Sequence, residues 1–332
     1  MNQRKKIILN CDPGTDDSLC IIMGLMHPEI ELLAVTAESG NLTSDKTSRN
    51  ALQIMELMGR SDVPVARGML HPLVRPHPSD PYSHGEDGLG NHFFPEPSLR
   101  IADKHAALVI IDEVMKYPGE VTIVCTAPLT NVALAFMLKP EIIPMVKEIY
   151  HLGGAYGVTD YAFSNATGDN PMSEWNIYVD PEAAEIVYGS GAMLTTIGLD
   201  VAFNPEWVSI LPETLEKLRR TDSVSARYAL EIIDYIDQNN SLPDLFNNGP
   251  IDTVAMCSVI CPEIIETREI SVAIDTSDNQ LTRGMTIWDH RNHFQWEHLN
   301  RIRTACAIDS ARYNRVFFEA VTGLPYDEVR HG

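Results

Sequence analysis

Residues 7–17 of this chain are Ile-Ile-Leu-Asn-Cys-Asp-Pro-Gly-Thr-Asp-Asp. Their apolar beginning leads into a polar turn with three carboxylates, Asp12, Asp16 and Asp17, and an apolar, helix-like segment follows over 19–26. This order predicts a strand, a turn and a helix, with the acids at the carboxyl end of the strand, where open α/β sheets bind their ligands. Because close negative charges repel one another, the cluster predicts a hard cation such as Ca²⁺ or Mg²⁺, which prefers oxygen ligands.

A helix cap is the simpler explanation for part of this cluster. Aspartate at the N-cap or in the first turn interacts favourably with the helix dipole. One or two acids fit that explanation easily. Three acids around a Pro-Gly turn at the end of a strand fit it less well, and we therefore favour a metal or substrate site.

The rest of the chain alternates between strand-like and helix-like segments. Strands are predicted at 6–11, 31–37, 62–67, 121–126, 148–153 and 193–199, and helices at 17–27, 43–59, 102–117, 128–138 and 181–189. After about residue 200 the pattern is more helical, with helices at 204–219, 223–240, 252–261 and 309–323 and weaker strands near 269–275 and 284–288. The pattern predicts one α/β domain over 1–332, with a mainly parallel open sheet, helices on both faces and a site at the carboxyl ends of the strands.

Polar residues at other element ends are further site candidates. Asn41 follows the predicted strand at 31–37, where a turn before the next helix is the simpler role. Thr126 ends the strand at 121–126, and its backbone carbonyl is either part of a strand-to-helix turn or a metal ligand. Asp252 opens an apolar helix, so an N-cap is the simpler role there too.

Two long polar loops, at 71–98 and 155–173, interrupt the alternating pattern. Long polar loops in a compact domain are more often functional than idle. Directly after the second loop, Glu174 and Asn176 bracket the aromatic Trp175. A solvated loop end is the simpler explanation for this polar pair, and a substrate contact is the alternative.

The composition limits the class of partner. The chain has 332 residues and a net charge of −21, from 25 basic and 46 acidic residues, which disfavours binding to nucleic acid polymers but not to a neutral small molecule. The six cysteines are scattered without a CxxC pair, which favours free thiols in a reducing cytoplasm. No signal-peptide core follows the basic start, and no apolar run approaches the roughly 18 residues of a membrane span. We expect a cytoplasmic protein without a membrane partner.

Taken together, these segments resemble the nucleoside hydrolase family, of the inosine–uridine-preferring type. Residues 12–17 match that family's DPGxDD signature. Further matches follow in the family's order, at 28–36, 40–41, 85–90, 128–131, 153–154, 174–176 with 180–184, and 198–200. The resemblance extends from about residue 6 to 263 and more faintly to the end of the chain.

The resemblance implies a calcium-dependent hydrolysis of ribonucleosides to free base and ribose. Ca²⁺ would be held by Asp12, Asp17, the Thr126 carbonyl and Asp252, and would make a bound water more acidic. Asp12 would also take the proton of that water as general base. The bond to the base would break with oxocarbenium-like charge on ribose.

The resemblance also implies substrate contacts and an assembly. Asp16 and Asn176 would hold ribose hydroxyls with Asn41 nearby, and Glu174 would bind the 5′-hydroxyl region. Asn170 is the candidate for a further contact at the 5′ end of ribose, although its spacing from Glu174 is shifted. Family members are commonly dimers or tetramers, so we expect a homodimer or homotetramer.

Two further positions depart from the family pattern. Asn10 stands where many members have Asp, which keeps the size and one acceptor but loses the charge. Ile251 stands before Asp252, where members often have a His that can protonate the departing base. With Ile at that position the proton must come from elsewhere, and His84 and Trp175 are the candidate helpers, the latter by stacking on the base.

Two other functions compete with nucleoside hydrolysis. A non-catalytic ribose- or nucleoside-binding protein on the same fold is compatible with Ile251, but it would not need to keep Asp12, Asp17 and Asp252. An aspartate-dependent phosphatase with a DxDxT-type start needs a carboxylate where this chain has Asn10, and this alternative ranks lowest.

Overall fold

The computed structural model of the protein describes residues 4–78, 83–164, 166–239, 249–291, 296 and 298–328. Nine strands form one sheet. They are β1 (Lys5–Cys11), β2 (Ile30–Ala37), β3 (Val65–Arg67), β4 (Val121–Cys125), β5 (Glu148–Leu152), β6 (Leu194–Ile197), β7 (Ile265–Ile274), β8 (Thr286–Trp288) and β9 (Asn300–Ile308). Their order is β3-β2-β1-β4-β5-β6-β9-β7-β8. All pairs from β3 to β9 are parallel, while β7 pairs antiparallel with β9 and β8.

Helices connect the strands and flank the sheet. They are α1 (Thr15–Met26), α2 (Ser44–Leu57), α3 (Ala106–Lys116), α4 (Thr130–Leu138), α5 (Tyr161–Ser164), α6 (Trp175–Val179), α7 (Pro181–Tyr188), α8 (Leu199–Ala202), α9 (Pro205–Val208), α10 (Pro212–Arg220), α11 (Val224–Gln238), α12 (Thr253–Ile260) and α13 (Ser310–Thr322). Short 3₁₀ turns lie at Pro140–Met145 and Pro262–Ile264. Among the helices of the described residues, none is both long and apolar enough to cross a membrane.

The central strands are apolar on both faces because helices cover both faces of the sheet. Alternate residues of β1 show this, since Ile7 and Leu9 pack in one hydrophobic core and Ile8 packs in another. All five residues of β4 are buried, as expected for a central strand of a parallel sheet. Residues 15–25 of α1 are buried too, so this helix lies inside the molecule and brings its first-turn acids with it.

The α/β prediction is confirmed, including the parallel strands β1 to β6 and the helices between them. The sheet is mixed, however, and β9 was not predicted from the sequence. Its residues include Arg301 and Arg303, and its burial follows no clean alternation, so the local pattern carries no strand signal. Pairing with β7 and β6 supplies the stabilisation. The prediction of a single domain stays a prediction.

Candidate active site

Asp12 lies directly after β1 and is fully buried. Its Oδ2 atom accepts a hydrogen bond from the Asn41 backbone N–H at 2.6 Å, which ties the end of β1 to the turn after β2. Its Oδ1 atom has no hydrogen-bond partner among the described residues. The turn comes very close, since a Cβ on Gly40 would lie 1.9 Å from Oδ2 of Asp12. Asp12 therefore presents one held oxygen and one free oxygen at the strand end.

Asp17, in the first turn of α1, connects the same region to β4. Its Oδ1 accepts from the Thr126 hydroxyl at 2.7 Å. Its Oδ2 accepts from the Gly14 backbone N–H at 3.1 Å and from the Asn41 side chain at 3.3 Å. The helix-cap explanation is thus partly right, because Asp17 does bond the backbone N–H that precedes α1.

Asp252 brings a third segment to the cluster from the N-terminal end of α12. One oxygen each of Asp16, Asp17 and Asp252 lies within 4.8 Å of the others, and all three residues are buried. The Asp252 backbone N–H also approaches Oδ2 of Asp16 at 3.4 Å. The predicted metal ligands Asp17 and Asp252 are therefore brought together. Asp16, which we predicted to bind ribose, completes this group of three, whereas Asp12 lies beside it.

Burial and mutual repulsion dominate the electrostatics of these carboxyl groups. Burial, followed by the charge of Asp17, raises the pKa of Asp12 well above its ordinary value. Burial and the charge of Asp16 raise the pKa of Asp252 well above its ordinary value and that of Asp17 to about 6. The ion pairs of the described residues all lie elsewhere. A divalent cation would relieve this repulsion and satisfy the free oxygen of Asp12, so the donor set fits a hard metal ion.

Asn176 and Glu174 reach the site from the start of α6. The Asn176 side-chain amide donates to the carbonyl of Leu152 at 2.9 Å and to that of Thr126 at 3.3 Å. Glu174 caps α6 by accepting from the backbone N–H groups of Asn176 and Ile177, and it also accepts from that of Gly154. Burial raises the pKa of Glu174 to about 7. The predicted solvated loop end is therefore wrong for this pair, because both side chains are buried.

His84 and Trp175 occupy positions that leave a donor available. Nδ1 of His84 accepts from the Thr15 backbone N–H at 3.2 Å, so Nε2 carries the proton of the neutral ring. Trp175 is buried, its Nε1 has no partner among the described residues, and its ring stacks on Tyr178 at 6.0 Å. The role of each as a helper in base departure stays a prediction.

The Asn170 side chain is anchored by hydrogen bonds at both its oxygen and its nitrogen. Its side-chain amide donates to the carbonyl of Arg283 at 2.9 Å, and its Oδ1 accepts from the Met172 N–H at 3.0 Å. One N–H of the amide is left for a ligand. Ile251, at the position where the departing base was expected to find a donor, packs against an apolar cluster that includes Leu199. The 5′-end contact of Asn170 stays a prediction.

Sequence reasoning missed a buried polar network beneath these residues. Glu38, at the end of β2, accepts from Asn10 and from the backbone of Asn131. The only available signal was its position, a carboxylate directly after an apolar strand. Its partners are 28 and 93 residues away along the chain, so no local pattern connects them.

Comparison with known proteins agrees with the geometry. The family model described as inosine-uridine preferring nucleoside hydrolase matches residues 7–315. The chain is 39% identical over 293 residues to the inosine-uridine preferring nucleoside hydrolase of Crithidia fasciculata, covering 87% of this chain and 89% of that one. It is 37% identical over 287 residues to the pyrimidine-specific ribonucleoside hydrolase RihA of Shewanella baltica, covering 86% of each.

Solved structures give the same result. The purine-preferring ribonucleoside hydrolase from Gardnerella vaginalis superposes with a TM-score of 0.84 at 30% identity, covering 96% of this chain and 98% of that one. The plant nucleoside hydrolase PpNRh1 superposes with a TM-score of 0.83 at 29% identity, covering 96% and 99%. The predicted resemblance is confirmed over nearly the whole chain. The protein therefore belongs to the family of inosine–uridine-preferring nucleoside hydrolases.

Proposed function

We propose that this nucleoside hydrolase cleaves the N-glycosidic bond of ribonucleosides with Asp12 as the general base. One observation carries the assignment. Asp12 has one oxygen held by Asn41, and its other oxygen, Oδ1, is buried at the end of β1 with no partner in the described part of the chain. A carboxylate fixed on one side and free on the other is suited to take a proton from a water molecule. That water forms the new bond to the anomeric carbon while the bond from this carbon to the base nitrogen breaks.

We infer that Ca²⁺ is the cofactor, with Asp12, Asp17, Asp252 and the Thr126 carbonyl as its ligands. These are hard oxygen donors, and the buried acids lack a basic partner among the described ion pairs. The Thr126 carbonyl accepts one long hydrogen bond, at 3.3 Å, and keeps a lone pair for a cation. When bound, the ion would make the water more acidic and hold ribose hydroxyls. Asp16 is close enough to Asp17 and Asp252 to serve as an additional ligand.

Ribose is proposed to lie along the carboxyl ends of β1, β2 and β5. Asp16, Asn41 and Asn176 surround this position, each with buried polar atoms. Glu174, anchored by three backbone N–H groups, is proposed to bind the 5′-hydroxyl, with Asn170 near it. More of the proposed contacts go to the sugar than to the base, which favours strict recognition of ribose.

Departure of the base requires a proton, and Ile251 cannot supply it. His84 is the proposed donor in its protonated form, because the Thr15 hydroxyl lies 3.0 Å from Nδ1 and can accept the second ring N–H. Nε2 then gives its proton to the base, and a neutral ring remains. Trp175 is proposed to stack on the base. The relatives are named for different base preferences: inosine–uridine-preferring, pyrimidine-specific and purine-preferring. The choice of base in this chain is therefore a question for experiment.

Two properties of the protein as a whole complete the proposal. Small nucleosides, and no nucleic acid polymer or membrane, are the proposed partners, consistent with the net charge of −21. A cytoplasmic location is supported by the scattered cysteines, all six of which are free thiols. We propose a homodimer or homotetramer, which sedimentation would distinguish.

A nucleoside panel tests the function directly. Purified protein would be incubated with inosine, guanosine, adenosine, uridine and cytidine, with Ca²⁺ and then with EDTA, and free ribose would be measured as reducing sugar. We expect ribose from at least one nucleoside with Ca²⁺ and a large loss with EDTA. If no nucleoside yields ribose but one binds in calorimetry, the chain is a nucleoside-binding protein. Phosphate release from a nucleotide, without ribose, would favour the phosphatase instead.

A further inference from the structure

We propose that Glu38 is a positioning residue for the metal and general-base site. Its buried carboxyl group joins the ends of β1 and β2 to the start of α4, and so fixes the places of Asp12 and Thr126. The inference rests on the proposed function for its catalytic consequence. Glu38 acts on the acids through neighbouring residues, and no bond from it to substrate or metal is proposed.

Glu38 is fully buried and is bonded through both carboxyl oxygens. Oε2 accepts from the Asn10 side-chain amide at 2.8 Å. Oε1 accepts from the Asn131 backbone N–H at 2.8 Å, at the N-terminal turn of α4. The Glu38 backbone N–H donates to the carbonyl of Cys11 at 2.9 Å. Glu38, at the end of β2, thus bonds to both β1 and α4.

Backbone carbonyl groups fix which side-chain atoms of this network donate hydrogen bonds and which accept them. The Asn10 amide also donates to the Pro128 carbonyl at 3.3 Å, and a carbonyl can only accept. The Asn131 side-chain amide donates to Oδ1 of Asn10 at 3.1 Å and to the Ala37 carbonyl at 3.3 Å. Neither amide can be reversed without placing an oxygen against a carbonyl. Each oxygen of Glu38 therefore faces an N–H donor, and a glutamine there would place its own N–H group against one of them.

The network lies directly behind the site residues. The Asn10 carbonyl accepts from the Thr126 N–H at 2.9 Å, and Asn10 is two residues before Asp12. On the other strand, Glu38 is two residues before Gly40, which passes against the Asp12 carboxylate. A displacement of the Glu38 carboxyl group therefore reaches Asp12 and Thr126 together.

The group is unfavourable for folding, which supports a role in the site. The groups that hydrogen-bond to its carboxyl group are the Asn10 amide, the Asn131 backbone N–H and the Thr130 hydroxyl, and none of them carries a net charge. Burial, reinforced by the charge of Asp180, raises the pKa of Glu38 to about 8 despite these hydrogen bonds. A carboxyl group buried without a cation is costly, and such groups concentrate at functional sites.

A polarity exchange tests the proposal. Asn10→Asp places two carboxyl groups face to face, and Glu38→Gln places two amides face to face. The double variant N10D/E38Q restores a donor against an acceptor, now in the opposite direction. It also places the new carboxylate against the Pro128 carbonyl, in place of the long 3.3 Å hydrogen bond. Calcium affinity would be measured by calorimetry, and kcat and KM on the nucleoside found in the panel. We expect each single variant to weaken calcium binding and lower kcat by about tenfold, and the double variant to lose less than the two single effects combined.

Asn314→Asp is the matched control. Asn314 is buried on α13, donates to the carbonyls of Ser209 and Ser310, and accepts from the Leu211 N–H. The change has the same chemistry as N10D, at a position whose described hydrogen bonds reach no site residue. We expect N314D to lower the melting temperature while calcium affinity and kcat stay as in the wild type. Equal losses of calcium affinity in N314D and N10D would mean general destabilisation and would overturn the proposal.

The outcomes separate this inference from the proposed function. Suppose that the wild type releases ribose, but the losses of calcium affinity and kcat in the double variant equal the sum of the two single losses. The positioning role is then wrong, while the hydrolase assignment stands. If the wild type releases no ribose but calcium affinity follows the cycle, the hydrolase is wrong while the positioning role stands. Should E38Q not fold, Glu38→Asp keeps the carboxyl group on a shorter side chain that cannot reach both donors. Wild-type calcium affinity in E38D would then contradict the proposal.

Discussion

At the scale of single residues, the two carboxyl oxygens of Asp12 differ in how they are held, and this difference matters most. Oδ2 of Asp12 is anchored by a short hydrogen bond from Asn41, and Oδ1 is buried with no hydrogen bond from any residue that the structure describes. A buried polar atom without a partner costs free energy, so its persistence indicates a group that is satisfied by a ligand. His84 is likewise held at one atom, because its Nδ1 accepts from the Thr15 backbone N–H, and the proton of the neutral ring then lies on Nε2.

Asp12→Asn tests the general base. An asparagine keeps the size and an oxygen that can accept from Asn41, but it cannot take a proton. We expect kcat to fall by about 10²–10⁴-fold, the usual contribution of a general base, in a ribose-release assay. Asp62→Asn is the control, since Asp62 pairs with Arg60 on the surface. Activity of D12N within a few fold of the wild type would assign the proton to another group.

His84→Gln tests the donor to the departing base. Natural bases need a proton to leave, whereas 4-nitrophenolate leaves readily without one. We therefore expect H84Q to lose about 10²-fold or more on natural nucleosides but little on 4-nitrophenyl riboside, measured as kcat/KM on both. His71→Gln, at an exposed position of the same loop, serves as the control. Equal losses of H84Q on the two substrates would show that His84 acts on the sugar or the fold instead.

At the scale of elements, the site depends on how closely two strand ends approach each other. The turn after β2 passes so near Asp12 that only a glycine fits at position 40, since a Cβ there would also lie 2.7 Å from Pro128. The buried helix α1 adds its first-turn acids to the same place. The dipole of a helix N-terminus favours those charges, and the adjoining start of α12 carries Asp252.

Gly40→Ala tests this close approach. The new Cβ would have to displace the Asp12 carboxylate or the turn, and overpacking of this kind costs about 1–3 kcal/mol. We expect a lower melting temperature and at least about a tenfold loss in kcat/KM. Gly24→Ala is the control, because its Cβ would meet only the flexible end of Leu32 at 3.1 Å and alanine favours the helix. Similar losses of activity in both variants would mean that the Gly40 contact is not specific to the site.

At the scale of the whole molecule, the sheet gathers groups that are distant in the chain. Adjacent parallel strands end at one edge, so residues following β1, β2, β4 and β5 meet there, and α12 closes the site. The price of this arrangement is a set of buried acids whose pKa values are raised. Such groups make stability depend on pH in a direction that can be worked out.

Glu38→Gln tests the sign of that dependence. The pKa of Glu38 is raised from 4.5 to about 8, so the folded state holds the proton that the unfolded state releases. Its contribution is fully present below pH 4.5 and is lost as pH rises towards 8, by up to about 1.4 kcal/mol per pH unit. Wild-type melting temperature should therefore fall relative to that of E38Q between pH 5 and 8. Parallel curves for the two proteins would contradict the raised pKa.

The sequence by itself determined the local order of the fold and the family. The apolar run, the acidic turn and the apolar helix of residues 7–26 lie next to one another in the chain, so a local pattern predicts β1, the acids and α1. The same holds for β4 and α4, whose boundaries were predicted to within two residues. Short-range periodicity and turn chemistry are sufficient for such elements.

Only the tertiary structure decided which residues share the site and how they are held. Asp252 contacts Asp16 across 236 positions of the chain, and Asn131 contacts Asn10 across 121. No local sequence pattern predicts contacts between residues so far apart in the chain. For the same reason, β9 is recognised as a strand only from its pairing with β7. The role of Glu38 is recognised only from the donors that bond its carboxyl group. The directions of the hydrogen bonds around Glu38 and the close contact of Gly40 with Asp12 depend on neighbours in space. They are therefore determined only when the strands and helices pack together.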